Sequence, residues 1–117
     1  MKPEKDWRVY VYDMATYARH ARSHVAGYDR ARFDGDLKTI HAVTRCIEIV
    51  GEAANRVPED VKARAPGVPW RRIIATRNVV AHAYGDVSLD VIWSLVSDGL
   101  LEDLEHEMRA LLDAPPR

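Results

Sequence analysis

The chain has 117 residues, of which 47% are hydrophobic and 30% charged, and this length and composition fit one globular domain. Its 17 basic and 18 acidic residues give a net charge of −1, which argues against a protein that coats nucleic acid by bulk electrostatics. No apolar run reaches the roughly 18 residues of a membrane span, the first residues hold no apolar signal core, and Cys46 has no second cysteine for an intrachain disulfide. We therefore expect a soluble cytoplasmic protein, with one helical domain over residues 1–113 and a short tail over 114–117.

Helical periodicity dominates the first half of the chain. Apolar residues recur every three or four positions over residues 4–26, which predicts a long first helix ended by Gly27. After a short segment around residues 29–34, the same spacing predicts a second long helix over 37–57, with Asp36 as its N-cap. No stretch alternates with a period of two for long enough to indicate a sheet.

The second half continues the helical pattern. A short helix is predicted over residues 58–65, a helix beginning at Trp70 follows it, and Ser88 is placed to cap a last long helix over 89–111. Four main helices of this length predict an all-α fold, an antiparallel bundle of four to five helices. Gly51 and Gly99 each interrupt a predicted helix at a cost of about 1 kcal/mol relative to alanine, which predicts close helix crossings at both positions.

The segment RNVVAHAY, which begins at Arg77, carries the strongest chemical signal. Arg77 can donate two N–H groups to a phosphate, and His82 can exchange a proton near neutral pH, while Asn78 and Tyr84 can orient the reacting groups. Arg77 falls on the apolar stripe of its helix, where burial of an unpaired guanidinium costs free energy. Its position there therefore indicates a pairing partner or a functional role. Arg77 and His82 diverge by about 140° on a straight helix, so a joint site needs either a helix that ends near His82, as Gly85 allows, or a second chain.

Other charged residues have competing interpretations. The stretch from Arg64 to Arg77 contains four arginines and no acidic residue, which makes it the best candidate for a phosphate-facing patch. For Arg71 and Arg72 a solvated face is slightly favoured over RNA contact. Glu48, with Glu52 one turn later, has Arg45 or Arg77 within reach, and a structural role is favoured over direct catalysis.

The histidines outside the motif and the single cysteine predict no metal site and no cofactor. His20 and His24 have the four-residue spacing of metal ligands, but no cysteine or carboxylate set accompanies them. Cys46 lies near a core stripe, so a buried structural thiol is favoured over a nucleophile.

The motif and its surroundings resemble the HepT-like proteins of the HEPN superfamily, which are small all-helical ribonuclease toxins. The resemblance rests on three strings between Cys46 and Trp93: CIEIVGEAANRVPEDV, PGVPWRRIIATRN and RNVVAHAYGDVSLDVIW. With Asp13 and Asp36 in the first half, it covers nearly the whole chain. It implies a HEPN-like homodimer in which both motif helices face one cleft and cut RNA, tRNA among the candidates, without a metal. By position, Arg77 and His82 become the catalytic pair with Asn78 in support.

The resemblance also implies a regulator. The partner in this family is a minimal nucleotidyltransferase antitoxin, which transfers AMP onto the motif tyrosine and silences the ribonuclease, and the assembly with the antitoxin can be larger than a dimer. Here that tyrosine would be Tyr84.

Two other function classes remain open from the residues themselves. One is a non-catalytic helical module that binds the nucleotidyltransferase, with Arg77 and Asn78 holding nucleotide phosphates. The other is a purely structural dimer. The presence of Arg77, Asn78 and His82 together favours the ribonuclease over both.

Overall fold

The computed structural model describes residues 6–81 and 89–114, and within these ranges the chain forms seven helices and no strand. The all-α prediction is confirmed. The helices are α1 (Trp7–His24), α2 (Arg30–Asp34), α3 (Leu37–Arg56), α4 (Glu59–Lys62), α5 (Trp70–Ala81), α6 (Leu89–Ser97) and α7 (Leu100–Asp113).

Acidic residues begin the first three helices. Asp6 accepts a hydrogen bond from the Arg8 amide, and Asp29 accepts one from the Arg32 amide. Asp36 accepts one from the Thr39 amide at 3.1 Å, so the predicted N-cap of the second long helix is confirmed.

The ends of α1 differ in detail from the prediction over residues 4–26. The helix begins at Trp7, ends at His24, and is followed by Gly27 with a φ of +78°. Glycine adopts this left-handed conformation without a steric penalty, so it closes the turn that leads to α2.

A bundle core fixes the long helices against one another. Helix α1 packs against both α3 and α7, and α5 packs against α3. Their contact surfaces share one cluster of buried apolar side chains, which includes Val11, Met14, Ala18, Val50, Ile73, Leu104 and Met108. Burial of this apolar surface is the main force that holds α5 in place beside α3.

A second, smaller cluster packs α2 and α6 against the first half of α3. Its buried members are Phe33, Val43, Ile47, Ile92 and Leu95. The Phe33 ring lies 5.2 Å from the ring of Trp93, centroid to centroid, which joins α2 to α6.

The prediction of one continuous last helix is wrong. Helix α6 ends at Ser97 and α7 begins at Leu100, with Gly99 between them at a φ of +88°. The Asp98 carboxylate accepts a hydrogen bond from the Leu100 amide at 2.9 Å, which satisfies one backbone donor at the new helix start. Leu95 of α6 lies in the smaller cluster, whereas Leu104 of α7 lies in the larger one.

The prediction of a tight crossing at Gly99 is wrong as well, because no heavy atom lies within 4 Å of the place where a Cβ would be. The predicted cap at Ser88 lies outside the described residues. None of the helices in residues 6–81 and 89–114 combines the length and the apolar character that crossing a membrane requires.

Candidate functional site

Helix α5 is fixed at Arg77 by a close approach of α3. A Cβ added to Gly51 would lie 2.8 Å from the Cβ of Arg77 and 3.2 Å from the carbonyl oxygen of Ile73. Side-chain carbons do not approach this closely, so only glycine lets the two helices meet here. The predicted crossing at Gly51 is therefore confirmed, and it sets the place from which the Arg77 side chain starts.

Arg77 is half-buried, and within the described part of the chain no carboxylate pairs with it. Glu48 instead forms an ion pair with Arg45 at 3.1 Å, and Glu52 is exposed. Of the two arginine partners considered for Glu48, the structure thus shows Arg45. No described carboxylate neutralises the guanidinium of Arg77, so its N–H groups can donate hydrogen bonds to an anionic ligand.

Asn78 is exposed immediately after Arg77. Two turns earlier in the same helix lie Trp70 and Arg71, seven residues before Arg77 and Asn78 respectively. Seven residues correspond to a rotation of about 20° from alignment and a rise of about 10 Å. Each member of the first pair therefore lies on the same side of α5 as its counterpart in the motif.

Three predicted site residues or features fall outside the described residues: His82, Tyr84 and the helix end at Gly85. Their roles stay predictions. The described part of the motif consists of Arg77 and Asn78, with the α5 backbone continuing to Ala81.

The two neighbouring arginines Arg71 and Arg72 have different surroundings. Arg72 forms an ion pair with Asp98 at 3.2 Å, so it faces the corner between α6 and α7. Arg71 is exposed and lines an open cleft between α4 and α5. Arg64 pairs with Asp60 at 3.8 Å. The arginine-rich stretch is thus divided among separate surroundings in the fold.

The cleft between α4 and α5, called the Trp70 cleft below, is a feature that sequence reasoning missed. It has a volume of about 450 Å³ and is lined by Glu59, Lys62, Ala63, Trp70, Arg71 and Ile74. The Trp70 indole N–H donates a hydrogen bond to the carbonyl oxygen of Ala65 at 3.1 Å, which fixes the ring. The periodicity of α5 indicated only that Trp70 belonged to the apolar stripe. The distance between α4 and α5 depends on the path of residues 63–69, and no spacing of apolar residues predicts that path.

His20 and Cys46 both have structural surroundings. His20 packs edge-on against the ring of Tyr17 at 5.2 Å between centroids. Cys46 is buried, as predicted, and burial raises the pKa of its thiol, which favours the unreactive protonated form. Across residues 6–81 and 89–114, no three or more histidine, cysteine or acidic side chains are arranged to hold a metal ion.

Comparisons with known proteins agree on one family. A family model described as Ribonuclease HepT-like matches residues 14–111. A predicted RNase of Methanocaldococcus jannaschii is 30% identical over 104 residues, which cover 89% of this chain and 86% of the relative. A probable ribonuclease HepT of Thermococcus cleftensis is 40% identical over 65 residues, or 56% of this chain and 59% of the relative. No solved structure matches the chain. The family match includes all of α3 and α5, and with them Gly51, Arg77 and Asn78.

Proposed function

The chain belongs to the ribonuclease HepT-like family, and from this premise we propose that it is a metal-independent endoribonuclease, the toxin of a toxin–antitoxin pair. The observation that carries the proposal is the α3–α5 crossing. Gly51 packs against the Cβ of Arg77, while Asn78 beside it is exposed. The packing against Gly51 fixes the Cβ of Arg77, and the amide of Asn78 is exposed next to it. A cationic side chain held in this way, beside an exposed amide, suits the binding of a phosphodiester.

The proposed chemistry uses the nucleophile that RNA itself carries. The 2′-oxygen attacks the adjacent phosphorus, its proton passes to His82, and the bond from phosphorus to the 5′-oxygen breaks. The leaving 5′-oxygen takes a proton from the protonated imidazole of a His82 side chain, and the products are a 2′,3′-cyclic phosphate and a 5′-hydroxyl. Arg77 stabilises the negative charge that develops on the phosphorane, and Asn78 helps to orient the phosphate.

Cleavage of RNA by the purified protein is the first test. We expect Arg77→Ala and His82→Ala each to lower kcat/KM by about 10²–10⁴-fold, the usual contribution of a positioned acid, base or charge, with cleavage by the wild type persisting in a chelator. Arg19→Ala, which removes an exposed arginine from α1, is the matched control and should cut normally. Undiminished cleavage by folded Arg77→Ala or His82→Ala protein would remove that residue from the mechanism.

A test in cells separates the ribonuclease from a non-catalytic partner of a nucleotidyltransferase. Induction of the wild type alone should arrest growth and create new RNA ends, while induction of Arg77→Ala should do neither. Mapping these ends, in tRNA as well as mRNA, identifies the substrate class. Normal growth and unchanged RNA after induction of the wild type would favour the non-catalytic alternative.

We also propose that the working unit is a homodimer in which Arg77 and His82 come together from paired motif helices. The support is geometric, since the two residues diverge by about 140° on a straight helix. Co-purified heterodimers of Arg77→Ala and His82→Ala chains test whether each site takes one residue from each subunit. If each site takes Arg77 from one subunit and His82 from the other, such a heterodimer has both residues in one of its two sites and neither residue in the other. We therefore expect it to recover about half of the wild-type rate. No recovery would mean that each site needs both residues from one chain or all four together.

The regulation proposed for this chain is AMP transfer to Tyr84 by a minimal nucleotidyltransferase antitoxin. The tyrosine oxygen attacks the α-phosphorus of ATP, and pyrophosphate leaves. Tyr84 is only seven residues from Arg77 in the sequence. The added nucleotide would bring bulk and a negative phosphate that compete with RNA for Arg77.

Intact-mass measurement tests this regulation after incubation with the nucleotidyltransferase and ATP. We expect one or more AMP additions to the wild type and none to Tyr84→Phe. Tyr12→Phe, which alters an exposed tyrosine of α1, is the matched control and should be modified normally. Equal incorporation into Tyr84→Phe would place the modification on another residue.

A further inference from the structure

The Trp70 cleft combines an aromatic wall with two cationic side chains. Trp70 is half-buried and held by its hydrogen bond to Ala65, and the Lys62 ammonium lies 5.9 Å from the centre of its ring. Arg71 is exposed at the rim of the cleft, with no ion pair to any other described residue. Aromatic rings on which bases stack, flanked by positive charges, are the usual components of sites for single-stranded nucleic acid.

The charge of the cleft favours an anion. Lys62 and Arg71 supply two positive charges, and Glu59 supplies one negative charge. The Glu59 carboxylate lies 3.3 Å from the Lys62 ammonium, but its side chain is 91% exposed and that of Lys62 only 11%. The carboxylate partner of this pair is almost fully exposed and is therefore held weakly, so a phosphate can replace it beside the ammonium group while the lysine stays in the cleft.

The position of the cleft relative to the motif connects it with RNA. Trp70 and Arg71 precede Arg77 and Asn78 by seven residues each, on the same sides of α5 and about 10 Å away along the helix axis. Ile74 lies between the two pairs and lines the cleft. A single strand whose phosphate lies beside Arg77 and Asn78 therefore reaches the cleft within a few nucleotides.

We propose that the Trp70 cleft is an RNA subsite, which binds an unpaired nucleotide near the scissile bond, with its base on Trp70 and its phosphate between Lys62 and Arg71. The proposal rests on the proposed ribonuclease function. Stacking on an indole tolerates every base, so the subsite holds the strand in place and does not select a sequence.

Binding can be measured without cleavage. A fluorescently labelled single strand of about ten nucleotides, fully 2′-O-methylated, lacks the nucleophile, so its anisotropy reports the Kd alone. We expect Trp70→Leu to raise the Kd by about tenfold and Trp70→Phe to raise it less, since phenylalanine keeps a stacking surface. Arg71→Gln should reduce the slope of log Kd against log salt by about 0.7, the value for one phosphate contact to a single strand. Arg19→Gln, with the same change in net charge, should leave the slope unchanged.

Cleavage assays separate this proposal from the one on which it rests. A dinucleotide linked by one phosphate has only the scissile phosphate and none left for Arg71, so wild type and Arg71→Gln should cut it equally, while the variant cuts a longer RNA with a higher KM. If the wild type binds RNA through Trp70 and Arg71 but cuts nothing, the endoribonuclease proposal fails and the subsite stands.

One result would overturn the subsite: a wild-type Kd for folded Trp70→Leu together with an unchanged salt slope for Arg71→Gln. If Trp70→Leu does not fold, the Arg71→Gln slope decides alone. Loss of binding to the nucleotidyltransferase by variants that bind RNA normally would show that the cleft is a protein-binding site instead.

Discussion

Gly51 and Gly99 occupy equivalent places in the sequence, each inside a repeat of apolar residues at three-and-four spacing, yet they have opposite roles. At Gly51 the helix continues, and the missing Cβ makes room for α5, since an added carbon would lie 2.8 Å from the Cβ of Arg77. At Gly99 the surroundings are open, and the residue instead takes a φ of +88° that ends one helix and begins another. The same residue type therefore supplies space at one site and backbone freedom at the other.

Of the changes at the two glycines, filling the space at Gly51 should have the larger effect. Gly51→Leu places a side chain where Arg77 begins, and overpacking of this kind costs about 1–3 kcal/mol of folding free energy. Because α5 must shift to make room, kcat/KM for RNA cleavage should fall by about 100-fold. Denaturant unfolding and steady-state kinetics measure the two effects.

Gly51→Ala refines the same test. Alanine gains about 1 kcal/mol of helix propensity, which offsets part of the steric cost, so stability should change less than activity does. A fully active and fully stable Gly51→Leu protein would mean that the crossing does not position Arg77.

The substitution at Gly99 should affect stability alone. An alanine at a φ of +88° costs about 1–2 kcal/mol, which lowers the Tm by several degrees in a domain of this size. Asparagine tolerates this conformation better, so Gly99→Asn should lose less than Gly99→Ala. At temperatures where the variant is folded, kcat/KM should match the wild type. A drop in activity as large as that of Gly51→Leu would erase the distinction between the two glycines.

Acid should weaken the start of the helix that contains Gly51. The Tyr28 hydroxyl donates a 2.7 Å hydrogen bond to Asp36, and this bond, with those from Thr39, lowers the pKa of the carboxyl from 3.8 to about 2. Since the folded pKa lies below the unfolded one, Asp36 stabilises the protein above pH 4, and this contribution disappears as the pH falls towards 2.

Tyr28→Phe tests that window. Without the hydroxyl the pKa of Asp36 moves back towards its ordinary value, so the variant should be less stable than the wild type near neutral pH, and the difference should shrink as the pH falls from 4 to 2. Circular dichroism during denaturant unfolding at several pH values measures the difference, with Tyr12→Phe as the control. A constant difference across that range would assign the effect of Tyr28 to packing.

The smallest effect concerns the ion pair that joins α5 to the corner at Gly99. Arg72 and Asp98 are 3.2 Å apart, with side chains 51% and 38% exposed, so their coupling should be about 0.2–1 kcal/mol and should decrease in high salt. A double-mutant cycle with Arg72→Ala and Asp98→Ala measures it. Asp98→Ala should cost more by itself, because Asp98 also accepts the hydrogen bond from the Leu100 amide. A coupling well above 1 kcal/mol would show that the corner and α5 depend on each other.

Features that depend on local chemistry were predictable from the sequence. Apolar spacing predicted α1, α3 and α5, and Asp36 was correctly predicted as the cap of α3, because helix formation and capping involve residues within a few positions of each other. The motif beginning at Arg77 led to the family that the comparisons found. The half-buried position of Arg77 also follows from its place on the apolar stripe.

Features that depend on the surroundings of a residue were not predictable. The sequence could not distinguish Gly51 from Gly99, since the difference is the distance to another helix. It could not show that Arg71 lines the Trp70 cleft while Arg72 pairs with a residue 26 positions away.

The amino-acid sequence by itself determined that this protein is helical and where most of its helices begin, and it predicts which short segment acts on RNA, because periodicity, caps and side-chain types are properties of neighbouring residues. Only the tertiary structure decided that α3 approaches Arg77 through Gly51, that the last helical region bends at Gly99, and that Trp70 and Arg71 share a cleft with Lys62. Those outcomes depend on how distant helices bury their apolar faces together, and the free energy of that packing is not encoded in any short stretch of the chain.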